Sequence, residues 1–313
     1  MTDKHFSMVF PGQGSQAVGM LKSLAEDFAQ VSDTFGEASA ALGHDLWKLV
    51  QEGPAEQLNQ TQHTQPAMLA AGVAVWRVWR AEAGVAPAVM AGHSLGEYSA
   101  LVCAGAIEFS AAVRLVADRG RFMQQAVAQG AGGMAAVLGL EDDKVRELCS
   151  LAARTEVVEA VNYNSPGQVV IAGTKAAVDR ACELAKAAGA KRVLPLPVSV
   201  PSHCALMKPA AERLSALLAE IEIKMPTIPV LHNVNVAEAA DSASIKQLLA
   251  QQLYSPVRWV ETIQAMAVRG IDTLVEAGPG KVLTGLNKRI DRKLNGLAVY
   301  DTQGLEHALE AVK

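Results

Sequence analysis

Ala88-Val89-Met90-Ala91-Gly92-His93-Ser94-Leu95-Gly96 reads as a short buried strand running into a glycine-flanked turn, with a helix starting at once after Ser94. The Gly-x-Ser-x-Gly spacing has a physical reason. A tight strand-to-helix turn strains the serine backbone and leaves no room for side chains two positions either side. Such a turn projects the Ser94 hydroxyl outward. It also aims the N–H of Leu95 at the place where an oxyanion would form, and the new helix adds its positive dipole end. The same pattern occurs in turns without chemistry; the strand–turn–helix setting favours Ser94 as a nucleophile.

Upstream, a strand is expected over Phe6–Phe10, ending in Pro11-Gly12-Gln13-Gly14-Ser15-Gln16. Apolar Leu21, Leu24, Phe28, Val31 and Phe35 predict one helix from about Met20 to Leu42, and a second apolar helix runs over Gln65–Ala81. Ser110 is expected to N-cap a helix over Ala111–Ala128. Gly130, Gly132 and Gly133 then punctuate the chain as a hinge. Strand Met134–Leu138, helix Asp142–Ala153, strand Val157–Tyr163, strand Gln168–Ala172, helix Lys175–Ala188 and strand Arg192–Leu196 follow. That order, βαββαβ, is a split βαβ unit. Beyond Pro197 the pattern returns to helices near 205–220 and 255–268, alternating with strands near 228–233 and 271–276. The expected fold is α/β: a large α/β-hydrolase-like domain with a parallel sheet core, over residues 1–128 and 198–313, plus an inserted small ferredoxin-like (βαββαβ) subdomain over 129–197.

The 313 residues are 50% apolar and 19% charged, which excludes intrinsic disorder. A formal charge of −4 provides no global field for nucleic acid or an anionic membrane. Cys103, Cys149, Cys182 and Cys204 show no metal-binding spacing, so no metal is expected. The N-terminus resembles neither a signal peptide nor a lipidation motif, and no run of about 20 apolar residues exists to span a bilayer. A cytoplasmic protein is expected.

A serine nucleophile needs a base. Seven histidines are available. His93 adjoins Ser94, but neighbours on an elbow point different ways. His203 follows an extended stretch where the chain returns from the insertion, and a domain junction is a natural cleft. No acid stands out as a third triad member. Arg119 lies among Leu115, Val116, Phe122 and Met123 on an apolar stripe, where a guanidinium is costly unless paired. Asp118 is better placed for Arg114, so Arg119 is either free for an external anion, a carboxylate above all, or paired internally. Gly12-Gln13-Gly14-Ser15-Gln16-Ala17 fits a loose dinucleotide pattern, but no second strand ends near Asp33. The N–H of Gln13 reads better as a second oxyanion donor beside Leu95. Lys288, Arg289, Arg292 and Lys293, with a smaller cluster at Lys191 and Arg192, are solvated faces or a contact for an acidic or phosphate-bearing partner.

Phe10-Pro11-Gly12-Gln13-Gly14-Ser15-Gln16, Gly92-His93-Ser94-Leu95-Gly96-Glu97-Tyr98, Ser199-Val200-Pro201-Ser202-His203-Cys204 and Gln252-Leu253-Tyr254-Ser255-Pro256-Val257 occur in family order. The chain resembles the bacterial malonyl-CoA:acyl-carrier-protein transacylases of dissociated fatty-acid synthesis along essentially its whole length. That resemblance implies Ser94 as the malonylated nucleophile and His203 as general base and acid. The N–H groups of Gln13 and Leu95 would form the oxyanion hole, and Arg119 would hold the malonyl carboxylate. The backbone carbonyl of Gln252 would orient His203, which accounts for the missing acid. Asn164 and Met134 would lie near the pocket. The partners implied are malonyl-CoA and acyl carrier protein, for a monomer with no resident cofactor: malonyl-CoA is a substrate and phosphopantetheine arrives on the carrier. Val200-Pro201-Ser202-His203 departs from the tetrapeptides that encode extender choice in related acyltransferases. Rival readings are an acyltransferase of a polyketide or malonate-decarboxylase system and a serine thioesterase or esterase.

Overall fold

A computed structural model describes residues 6–198 and 200–313; residues 1–5, with His5, and Ser199 of the quoted motif lie outside the described residues. The strands are β1 (Phe6–Phe10), β2 (Val89–Gly92), β3 (Gly132–Leu138), β4 (Val158–Ser165), β5 (Gln168–Thr174), β6 (Arg192–Pro195), β7 (Val230–Leu231), β8 (Thr273–Ala277) and β9 (Asn295–Val299). They form two sheets. The larger, in the order β7-β2-β1-β8-β9, is parallel throughout. Its central strands are buried at every position, so they read as continuous apolar runs rather than alternating ones. Alternate residues still serve opposite faces. Met8, Phe10, Met90 and Val275 enter one core with Trp79 and Tyr98, whereas Val9, Ala91 and Leu274 enter another with Trp259 and Ile263.

The smaller sheet is antiparallel, in the order β4-β5-β3-β6. Helices Asp142–Ala153 and Lys175–Ala187 cover one face through Val145, Leu148, Val178 and Ala181. The opposite face, with Val161, Val170 and Ala172, packs against Cys204 and partly buried Leu206. The small sheet is also tied by backbone to the loop before the helix at Trp259: Tyr163 N–H donates to Val257 O at 3.0 Å, and Val257 N–H to Val161 O at 2.8 Å. The expected fold class, a parallel α/β core with a separate small βαββαβ sheet, is what the structure has.

Several elements differ from expectation. The helix expected over 20–42 is two, Lys22–Asp27 and Ala29–Leu42, because Phe28 adopts an extended conformation between them. The N-cap of helix Phe109–Ala126 is Glu108, not Ser110; its carboxylate accepts from the N–H groups of Ser110 and Ala111. Gly132 and Gly133 are ladder residues of β3 rather than a hinge. The helix expected from Ser255 begins at Trp259, since Val257 is held in an extended bridge to β4. The strand expected over 228–233 shrinks to β7, and the helix from 205 opens with a 3-10 turn before Lys208–Glu220. Among the described residues no helix is long and apolar enough to cross a membrane. All four cysteines are free and buried; burial raises the thiols of Cys103 and Cys182 and pushes those of Cys149 and Cys204 up to about 12.

Candidate active site

Backbone crowding makes the Ser94 turn. A methyl added at Gly92 would lie 1.8 Å from the Gly96 carbonyl carbon, and one at Gly96 would lie 2.0 Å from the Phe10 oxygen. Both positions therefore demand glycine. Between them Ser94 is held in the left-handed region at φ 52, a conformation that non-glycine residues adopt only when their surroundings compel it. Asn233, just beyond β7, supplies that compulsion. Its Oδ1 accepts the Ser94 N–H at 2.7 Å and its Nδ2 donates to Gly92 O at 2.7 Å.

The Ser94 hydroxyl lies 2.7 Å from Nε2 of His203. His203 is 3% exposed and its Nδ1 lies 2.8 Å from the backbone oxygen of Gln252. A carbonyl can only accept, so Nδ1 carries the proton and Nε2 is left to take one from Ser94. Burial, then the nearby Arg119 charge, pushes His203 down to about 3, which keeps the ring neutral. His203 also has positive φ, at 67. Both partners in the hydroxyl–imidazole contact thus sit in strained backbone.

Arg119 is 1% exposed and is not free as the sequence suggested. Its Nη1 donates to Gln65 Oε1 at 2.8 Å and its Nη2 to Gln252 Oε1 at 2.9 Å, and Nη2 lies 3.5 Å from Ser94 Oγ. Both amide acceptors are neutral. Among the described residues no carboxylate forms an ion pair with it, and its Nε has no partner. The neighbouring Asp118 pairs with Arg121 rather than Arg114, one turn in the opposite direction along the helix.

These groups line a cavity of about 190 Å³, to which Gln13, Leu95, Met134 and Asn164 also contribute. Asn164 Oδ1 lies 2.8 Å from His93 Nε2, so the residue beside Ser94 is tied to β4 rather than to the serine. Among the described residues, neither the N–H of Gln13 nor that of Leu95 has an internal acceptor, whereas those of Ser94, Gly96 and Glu97 are used. Every candidate residue except the exposed basic ones thus borders one cavity or touches a residue that does.

Sequence reasoning missed Gln65, Asn233, and the buried pair of Glu97 with His232, whose Oε1 and Nδ1 are 2.8 Å apart. Their contacts join residues more than fifty positions apart, and only Glu97, inside the elbow motif, carried a local signal. Among the described residues no group of three or more His, Cys, Asp or Glu could hold a metal ion.

A serine raised on an elbow, a neutral histidine oriented by a carbonyl and two backbone amides with no internal acceptor are an arrangement able to carry acyl transfer through an acyl-serine. The comparisons agree with that class. Residues 7–303 match the model of the acyl transferase domain family. A malonyl CoA-acyl carrier protein transacylase of Escherichia coli (strain K12) is 58% identical over 97% of this chain and 99% of its own length. The crystal structure of an acyl carrier protein S-malonyltransferase from Vibrio cholerae superposes with a TM-score of 0.96 at 61% identity, covering 97% of this chain and all of that one. A malonyl-transacylase solved in complex with a type II polyketide acyl-carrier protein superposes with a TM-score of 0.97 at 56% identity, over 98% of this chain and 100% of that chain. The chain belongs to the family of malonyl CoA-acyl carrier protein transacylases.

Proposed function

We propose that this chain moves a malonyl group from malonyl-CoA to the phosphopantetheine thiol of acyl carrier protein, through a malonyl ester on Ser94, to supply fatty-acid elongation. His203 Nε2 takes the Ser94 proton as Oγ attacks the thioester carbonyl. The oxyanion forms between the N–H groups of Gln13 and Leu95. Collapse expels coenzyme A, whose sulfur receives the proton from His203. The carrier thiol then gives its proton to the same nitrogen, attacks the ester and leaves with the malonyl group, while His203 returns that proton to Ser94 Oγ. Met134 and Asn164 wall the acyl chamber.

One observation carries the malonyl reading: a buried guanidinium, with no carboxylate paired to it among the described residues, stands 3.5 Å from the nucleophile. A substrate carboxylate completes its pairing, and a neutral acyl group leaves it incomplete. The reaction needs no resident cofactor or metal. Residues 129–197 act as a subdomain that closes one side of the chamber over the unit formed by 1–128 and 198–313. Four unpaired cysteines suit a reducing cytoplasm, and the site is complete within one chain, which suits a monomer.

Intact-mass measurement after incubation with malonyl-CoA tests the proposal. The native chain should gain one malonyl group that persists until a thiol acceptor is added, and Ser94→Ala should gain none. An adduct lost to water without thiol would point to a thioesterase or esterase instead.

A further inference from the structure

Gln252 is built into the site twice. Its backbone oxygen holds His203 Nδ1 at 2.8 Å, and its side chain, fully buried, lies between two charges that never touch. Gln252 Oε1 accepts from Arg119 Nη2 at 2.9 Å, while Nε2 donates to Glu97 Oε2 at 2.9 Å and to Ser94 O at 3.1 Å. A carboxylate can only accept and a guanidinium can only donate. An amide between them has one allowed orientation: nitrogen toward Glu97, oxygen toward Arg119. Glu97 is itself immobilised by His232 Nδ1 and by the Asn233 N–H, both at 2.8 Å. The same Asn233 holds the elbow.

We infer that the Gln252 side chain is a positioning residue for acyl selection: oriented by Glu97, its amide fixes the Arg119 fork with a neutral acceptor and so leaves the guanidinium's charge for the substrate carboxylate. An ionised group at the same place would pair with Arg119 permanently. An apolar one would leave Nη2 unsupported beside Ser94. Because Glu97 directly follows Gly96 in the elbow motif and Gln252 also carries the His203 contact, recognition of the acyl carboxylate and alignment of the base are set by one hydrogen-bonded unit. The inference rests on the malonyl reading above.

The test is a competition between malonyl-CoA and acetyl-CoA for Ser94 in the full chain, read by intact mass, with Arg119→Ala as the benchmark for lost carboxylate recognition. Melting temperatures are recorded alongside. Gln252→Met keeps the backbone oxygen and a similar length but has no amide; its malonyl-over-acetyl preference should fall by about tenfold or more. Gln252→Glu supplies the conservative rescue. Protonated, the introduced carboxyl can donate to Glu97 and accept from Arg119 as the amide does; ionised, it pairs with Arg119. Its preference should therefore be higher at about pH 5.5 than at about pH 8.5. A Gln252→Met preference equal to the native one overturns the inference. So does an equal fall in loading by both substrates, which marks structural support alone, or a Gln252→Glu preference that does not move with pH. If the native chain itself is not malonylated by malonyl-CoA, the malonyl reading fails instead.

Discussion

At the scale of single residues, His203 shows how burial sets chemistry. Its pKa of about 3 lies below the ordinary 6.5, chiefly from desolvation and then from the Arg119 charge. The imidazole is therefore ready as a base without first losing a proton. Between those two values the unfolded chain binds a proton that the folded chain does not, so stability rises with pH across that window and is lost as pH falls through it. Melting curves from about pH 7 to pH 5 should show a steeper decline for the native chain than for His203→Gln, and parallel curves would refute the assignment. Malonyl loading of Ser94 should show no acid limb near pH 6.5 in the free enzyme. Arg119 was legible as an inward-facing cation on an apolar stripe. Its two amide acceptors were not, because Gln65 and Gln252 are 54 and 133 residues away along the chain.

At the scale of elements, the elbow was readable because its constraint is local: Gly92 and Gly96 are required by atoms within a few residues or on the adjoining strand. Gly96→Ala would drive a methyl to 2.0 Å from the Phe10 oxygen, where neither backbone can yield. The expected loss is about 3 kcal/mol or more in urea unfolding, together with loss of Ser94 acylation. Gly36, in helix Ala29–Leu42 with nothing within 4 Å of an added methyl, provides the contrast. Gly36→Ala should stabilise by about 0.5–1 kcal/mol. Equal effects at the two sites would mean that crowding does not govern the elbow. The break at Phe28 escaped sequence reading for the opposite reason. Leu24 and Val31 face the same core across it, so a single extended residue leaves the apolar spacing intact.

At the scale of the whole molecule, the chain builds its chamber between two sheets of different kind. The parallel sheet brings Ser94 to the cavity just past the end of β2, and the small sheet brings Met134 and Asn164 from β3 and β4. The order of elements from 134 to 196 predicted the separate small sheet; it could not reveal the backbone bridge from Val161 and Tyr163 to Val257, which ties that sheet to the loop before the helix at Trp259. The exposed basic end of helix Val282–Ile290 lies on this seam: Arg289 Nη1 donates to Gln168 Oε1 at 2.9 Å, at the start of β5. Lys288 and Arg292 remain exposed beside it. Reversing both (Lys288→Glu with Arg292→Glu) should weaken transfer to an acidic carrier protein by roughly tenfold at low salt, while loading from malonyl-CoA changes less than about twofold. Equal damage to both steps would show that this face does not receive the carrier.

The four buried thiols bear on a hazard peculiar to this chemistry. An enzyme whose covalent intermediate is discharged by any thiolate that reaches it must not present one of its own. Cys204 adjoins His203 in sequence, yet it is fully enclosed and donates to the Pro201 oxygen, and burial pushes its thiol up to about 12. On the acyl-serine route proposed above, this enclosed thiol is withheld from the acyl group, which is left for a visiting acceptor.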